Sequence, residues 1–248
     1  METTNDLLLE VMLGLSIKES IDVKKIRKKV LILSTPRSGS SMFCDVLANT
    51  EQVGECAEWF NNRYIAAYGK MMGSSNVQFN DYLTFIMEKT VGNTGIFAVN
   101  AHIEQMVFFA EKKINLLNLN FDVIVYISRN NKLAQAISLA KSRLTDSWSS
   151  DTKEDESKLE KLSNSLIVNS LKHIVDSESL YQEKLAQYTH AEFVYEDFSN
   201  LDKTTAYKEL FDKIGVEYKG VLKTNMKRQS NSFSKNTLTS FENYILGK

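Results

Sequence analysis

Residues 30–49 read VLILSTPRSGSSMFCDVLAN, and this stretch decides the fold. Val30-Leu31-Ile32-Leu33 is a short unbroken apolar run, the pattern of a central parallel strand covered on both faces. Ser34-Thr35-Pro36-Arg37-Ser38-Gly39-Ser40-Ser41 follows as a polar loop. Met42, Phe43, Val46 and Leu47 then recur at helical spacing. A strand feeding a Gly/Ser loop at a helix N-terminus makes an anion site, because unpaired backbone N–H groups converge there and the helix dipole favours negative charge. Arg37 adds a planar cationic fork, and Ser38, Ser40 and Ser41 add hydroxyls. The loop is therefore expected to hold a phosphate-like group. An ordinary Ser-capped turn is the competing reading, and the density of donors around one arginine argues against it.

Outward from this stretch, the pattern repeats. Ile96-Phe97-Ala98-Val99 reads as a second central strand ending in the polar residues Asn100 and His102. Residues 121–128 read as a third, ending in Ser128-Arg129-Asn130, and 192–195 as a fourth. Helices are expected over 5–19, 61–72, 78–91, 103–118, from Lys132 onward, over 156–188 and over 203–214, with a last helical stretch near the C-terminus. Strands alternating with helices imply an α/β fold, a central parallel sheet flanked by helices with right-handed crossovers. No linker splits it, so residues 30–248 are read as one domain preceded by a helical extension, 1–29. Ligands of such sheets bind at the carboxyl ends of the strands, where Arg37, His102 and Arg129 all fall.

Composition narrows the function classes. Of 248 residues, 43% are hydrophobic and 25% charged, with a formal net charge of −1. Those are the proportions of an ordinary globule, and nothing global points to nucleic acid or an anionic membrane. No apolar run reaches the ~18 residues of a membrane span. Residues 7–15 mimic a signal-peptide core, but Glu2 and Asp6 have the wrong charge and Glu10 interrupts the run. Cys44 and Cys56 have no metal-like spacing with histidine, so free thiols in a reducing cytoplasm are expected, and no metal site. The basic run Lys24–Lys29 reads as a solvated face, with steering of an anion as its functional alternative.

The loop lacks the Gly-Lys-Ser/Thr ending of a triphosphate-binding motif and carries one glycine rather than the three of a dinucleotide loop. Pro36-Arg37-Ser38-Gly39-Ser40-Ser41 instead resembles the 5′-phosphosulfate loop of sulfotransferases that use 3′-phosphoadenosine 5′-phosphosulfate (PAPS), in the bacterial branch typified by trehalose 2-sulfotransferase and its lipopolysaccharide-type relatives. Arg129, Gln135-Ala136-Ile137-Ser138, Thr145 and Trp148 are similar to a second block of that family, and Gly54-Glu55-x-x-Glu58-x-Phe60 to a third, with Cys56 where the family has proline. Arg228-Gln229 matches a fourth. The resemblance implies a P-loop-like sulfotransferase fold. It further implies that Arg37 through Ser41 bind the 5′-phosphosulfate, Arg129 and Ser138 the 3′-phosphate, and Arg228 and Gln229 cover the nucleotide.

Sulfonyl transfer needs an in-line donor, neutralised charge on the bridging oxygen and a base for the acceptor hydroxyl. Arg37 is the candidate for the leaving oxygen. Two bases are open: Glu58, which matches the family's carboxylate, and His102, which stands where the wider superfamily has the His of Lys-x-His. Asn100 replaces that lysine and can donate a hydrogen bond but no charge. The competing readings are a helix-start carboxylate for Glu58 and a satisfied strand-end histidine for His102. The expected partners are PAPS, with 3′-phosphoadenosine 5′-phosphate (PAP) as product, and a small-molecule, carbohydrate or glycolipid acceptor. The resemblance also allows a homodimer. The alternatives are a P-loop nucleotide kinase or nucleotidase and a non-catalytic PAP-binding protein. His173 and His190 belong to no constellation.

Overall fold

In the computed structural model, which describes residues 4–148, 155–226 and 232–246, the apolar run becomes strand β1, Lys28–Ser34. The chain runs α1 (Thr4–Ser16), β1, α2 (Ser40–Asn49), α3 (Asn62–Met71), α4 (Phe79–Thr90), β2 (Ile96–His102), α5 (Ile103–Glu111) and β3 (Val123–Ser128). It continues through α6 (Lys132–Thr145), α7 (Glu156–Leu159), α8 (Asn164–Lys184), β4 (Ala191–Val194), α9 (Tyr195–Phe198), α10 (Ala206–Ile214) and α11 (Ser232–Ile245). Among the described residues one four-stranded, all-parallel sheet forms in the order β2-β1-β3-β4. The α/β expectation holds.

Alternation in the strands explains how the sheet is buried. Successive side chains point to opposite faces. Val30 and Ile32 therefore pack with α2 and α10, alongside Val123, Val125, Phe43, Val46 and Leu210. Leu31 and Leu33 pack on the other face with Val99, Ile124, Tyr126, Phe60 and Tyr82. All four residues of the run are fully buried, each stabilising the fold by about 1.5–3 kcal/mol. On the second face, Met12 and Leu15 of α1 join the core. Lys89 Nζ donates to the carbonyls of Ser16 and Lys18, placing a cation where the α1 dipole is negative.

Some element bounds differ from the sequence reading, for identifiable reasons. Strand β2 extends through His102 because Asn100 and His102 keep their ladder partners Ile32 and Ser34 on β1. Helix α5 stops at Glu111, where Lys113 takes a left-handed φ of 61°, and a 3-10 turn follows at Leu116–Leu119. The long helix expected over 156–188 is broken: Ser163 caps a new start at Asn164 by accepting from the Leu166 N–H. Tyr195 opens α9 rather than ending β4. Arg27 and Lys29 donate to the carbonyls of Thr94 and Leu119 at the amino end of β1. That is a strand length, about 20 Å, from the loop that follows β1, so this end of the basic run serves the sheet and is remote from that loop.

The unassigned histidines are structural. His190 donates its N–H to Ile124 O and accepts from the Ile124 N–H at Nδ1, which starts the β3–β4 pairing. His173 Nε2 lies 2.8 Å from Glu104 Oε1 and ties α8 to α5. Burial pushes the Glu104 carboxyl up, but hydrogen bonds from His173 and Ser177 outweigh it and hold the group at about 2.

Candidate active site

Strand β1 leaves the sheet toward β2 on one side, and the chain then returns to β3 on the other. The loops after β1 and β3 therefore part over the carboxyl ends of two neighbouring strands, the place where such sheets bind ligands. Thr35 to Gly39 forms the first loop. Ser38 N–H donates to Thr35 O at 3.3 Å, closing a turn with Pro36 in its second position and Arg37 in its third. Pro36 suits that second position with its preset φ. Arg37 has φ +64°, a left-handed value uncommon for a residue with a side chain.

Gln135, buried on α6, holds the turn in place. Its Nε2 donates to Thr35 Oγ1 at 2.9 Å and to Pro36 O at 2.8 Å. Gly39 follows as the N-cap of α2 with φ +94°. A Cβ there would lie 2.3 Å from Tyr195 Cδ2. Both the dihedral and the ring exclude a side chain. Gly39→Ala is expected to cost about 2–4 kcal/mol, the sum of left-handed strain and overpacking, measured by chemical denaturation. A loss under about 1 kcal/mol would show that the turn and ring can give way.

The donors converge as an anion cradle requires. Helix α2 starts without a side-chain cap on its first turn. The Ser38 hydroxyl is buried with no hydrogen-bond partner, a state that natural interiors rarely leave uncompensated. Ser40 Oγ accepts from Asn100 Nδ2 at 3.2 Å, and Asn100 Oδ1 accepts from Ser34 Oγ at 2.9 Å. With its oxygen so engaged, the Ser40 hydroxyl hydrogen remains to donate. Asn100 lies 1% exposed inside the strand. The sequence reading had its amide at a strand end, able to donate to a transferring group, whereas here it ties β1 and β2 to the loop. Ser41 is exposed on the first turn of α2.

The second loop, after β3, brings the other arginine, Arg129, and α6 brings Ser138. Arg37 Nε donates to Ser138 Oγ at 2.9 Å, and Arg37 Nη1 to Trp148 O at 2.8 Å. Arg129 Nη1 donates to Arg37 O at 3.4 Å. The Arg129 guanidinium carbon lies 4.8 Å from the Tyr195 ring centre, and its Nε lies 3.9 Å from Glu196 Oε1. Glu196 also accepts from the N–H groups of Asn130 and Asn131, at 2.9 and 3.1 Å. Burial pushes its carboxyl up, but these bonds and Arg129 prevail and hold it below its ordinary value. Glu196 thus braces both the loop and the arginine. Arg37 thus reaches Ser138 and Arg129 reaches the Arg37 carbonyl, which puts two arginines and two serine hydroxyls, Ser38 and Ser138, on or against the loop, a donor set suited to phosphate groups.

Glu58 and His102, read as rival bases, stand together. Glu58 Oε1 lies 3.5 Å from His102 Nε2, and its Oε2 accepts from Asn61 Nδ2 and Gln105 Nε2, each at 3.2 Å. Glu58 lies ahead of Asn61, the N-cap of α3, and its carboxylate instead meets the N-cap residue and first turn of α5, so a helix dipole still favours its charge. Gly54 lets this segment pass the 90–92 turn, where a Cβ would come 2.0 Å from Thr90 O. Asn100 N–H donates to Ala57 O at 2.9 Å, and Tyr82 Oη to Trp59 O at 2.6 Å, which fixes the backbone on both sides of Glu58. Both side chains remain partly open, at 26% for Glu58 and 16% for His102. Nearby Tyr64 is pushed up to about 12 by burial and then by the Glu58 charge, so it stays a neutral phenol. Strand register sets His102 beside Ser34, at the root of the anion loop, so the carboxylate–imidazole pair borders the cradle.

Trp59 is buried against Tyr64 and is a packing residue. Trp148 is more open and lends its carbonyl to Arg37. Arg228 and Gln229 lie outside the described residues. The chain leading to them is tied to α2, where Thr224 Oγ1 and Asn225 N–H donate to Asp45 Oδ2 at 2.6 and 2.7 Å. Gln135, Gln105, Asn61, Tyr195 and Glu196 carried no assigned role in the sequence reading. Gln135 at least stood inside a matched block; Tyr195 and Glu196 left no local signal, being 66 and 67 residues from Arg129. A separate groove of about 550 Å³, between β3 and α8, is lined by Glu178, Glu183, Glu192 and Lys132. Its excess of carboxylates repels a polyanion.

A family model described as Stf0 sulphotransferase matches residues 29–242. No curated protein matches the chain. Among the described residues no helix is long and apolar enough to cross a membrane.

Proposed function

The chain belongs to the Stf0 sulphotransferase family, a family of enzymes that transfer sulfate, and from that premise we propose that its donor is PAPS and its acceptor a hydroxyl of a carbohydrate, glycolipid or small specialised metabolite. The observation that carries the donor assignment is that Arg37 bonds Ser138 and Arg129 bonds the Arg37 carbonyl, in the loop that holds the buried, unpartnered Ser38 hydroxyl. Ser38 to Ser41 and the uncapped first turn of α2 hold the 5′-phosphosulfate, and Arg129 with Ser138 the 3′-phosphate. Arg228 and Gln229, outside the described residues, are assigned to the nucleotide by the resemblance alone. PAPS supplies an activated sulfonyl group on a phosphate leaving group.

The chain's own residues do the rest. Arg37 gives up its bond to Trp148 O to neutralise charge on the bridging oxygen, a role for which a planar fork with several donors is suited. Glu58 accepts the acceptor's proton at Oε1. Asn61 and Gln105 hold its other oxygen, and His102, 3.5 Å from Oε1, orients the carboxylate. No metal is assigned a step, because the loop lacks the Lys-Ser/Thr pair that positions one on a triphosphate.

Thermal shift separates this reading from a nucleotide kinase. PAP alone should raise the melting temperature by about 5 °C or more at ~100-fold over Kd, with no requirement for Mg²⁺. Stabilisation only by ATP or GTP with Mg²⁺ would overturn the reading. Release of PAP from PAPS on addition of a sugar acceptor separates an enzyme from a protein that only binds the nucleotide.

A further inference from the structure

The chain contains two cysteines, and the site described above uses neither. Cys44 lies on α2 and is 2% exposed; Cys56 is half-buried in the segment leading to Glu58. Both are free thiols, and their Sγ atoms are 2.8 Å apart, Cys56 donating to Cys44. A disulfide needs an approach of only about 0.8 Å more. Neither partner is on a loose segment. Phe43, Val46 and Leu47 bury α2 against the sheet, while Gly54 N–H and Ala57 O are bonded to Ile96 O and Asn100 N–H of β2.

We propose that Cys44 and Cys56 are a redox-closing pair, forming an intramolecular disulfide that staples the anion-loop helix to the segment carrying Glu58. The oxidant is a peroxide. Cys56 is the reachable sulfur and reacts first: its sulfur takes one oxygen from hydrogen peroxide to become a sulfenic acid, and the other oxygen leaves as water. Cys44 Sγ then attacks the Cys56 sulfur, the S–O bond breaks, and the Cys44 proton departs with that oxygen as a second water. Two thiols thus lose two electrons and two protons, and one peroxide becomes two waters. Burial pushes the Cys44 thiol up, and its bond with Cys56 and the charges of Glu58 and Asp45 add to this. A thiol held up in this way is a slow leaving group when the bond is reduced, so the disulfide persists once formed.

The test is independent of sulfonyl transfer. The full chain is treated with stoichiometric hydrogen peroxide, and thiols are counted in denaturant alongside intact mass, peptide mapping and melting with and without dithiothreitol. Both thiols should disappear with a mass loss of about 2 Da, in a monomeric product with one peptide pair joined at Cys44 and Cys56. The melting temperature should rise by about 5 °C or more and fall back on reduction. Cys56→Ser, and separately Cys44→Ala, should show no such reversible rise. Retention of both thiols under excess peroxide, oxidation of Cys56 to a sulfinic acid with Cys44 intact, or disulfides only between molecules would overturn the proposal.

Discussion

Glu58→Gln is expected to lower turnover by about 10²- to 10⁴-fold, the usual contribution of a positioned base, while PAP still stabilises the protein against heat. Glutamine keeps the shape and can still meet Asn61 and Gln105, so the change removes proton acceptance more than structure. His102→Ala should cost less, about 10-fold, because His102 faces Glu58 Oε1 at 3.5 Å as an orienting partner. The double variant should be little worse than Glu58→Gln alone, as expected when two residues act through one proton transfer. Initial rates with a sulfated-product assay, with PAP binding as the control, decide the matter. If His102→Ala is the more damaging change, the roles are reversed; if neither lowers turnover, the pair is structural.

Arg129→Ala is expected to weaken PAP binding by about 30-fold or more, in line with the 2–5 kcal/mol lost when one partner of a buried charged pair is truncated. Calorimetric titration measures it, with the melting temperature of the free protein as a check on folding. Arg129 also bonds Arg37 O and stacks on Tyr195, so some stability should go with it. Arg129→Lys separates the two effects. It keeps the charge but loses the planar fork, and should recover only part of the affinity. Unchanged PAP affinity in Arg129→Ala would remove the residue from the 3′-phosphate site.

Local chemistry made some of this legible in the chain. The four-residue apolar run reads as a doubly covered strand, and a Ser/Gly loop with one arginine ahead of a helical pattern reads as an anion site. Those signals act over a few residues. By contrast, the break at Ser163 within an otherwise helical stretch depends on a single cap, and the stop of α5 on one left-handed residue. Propensity and periodicity blur such single-residue events. Cys44 and Cys56 could be seen in the chain, but their 2.8 Å approach could not, because it depends on how the chain threads between α2 and β2.

The chain alone determined an alternating α/β fold, a Ser/Gly loop with one arginine at the end of its first strand, and polar residues at three strand ends. These follow from side-chain spacing and turn chemistry, which are local. Only the tertiary structure decided how those residues relate. Register between β1 and β2 placed His102 at the root of the loop and buried Asn100 as its brace. Packing of α6 against the first turn set Gln135 on Thr35 and brought Ser138 to Arg37. Glu58 and His102 became one pair instead of two alternatives because a segment 44 residues earlier in the chain folds back over the end of β2. Such contacts arise only when the sheet assembles, since each joins residues whose separation along the chain carries no periodic signal.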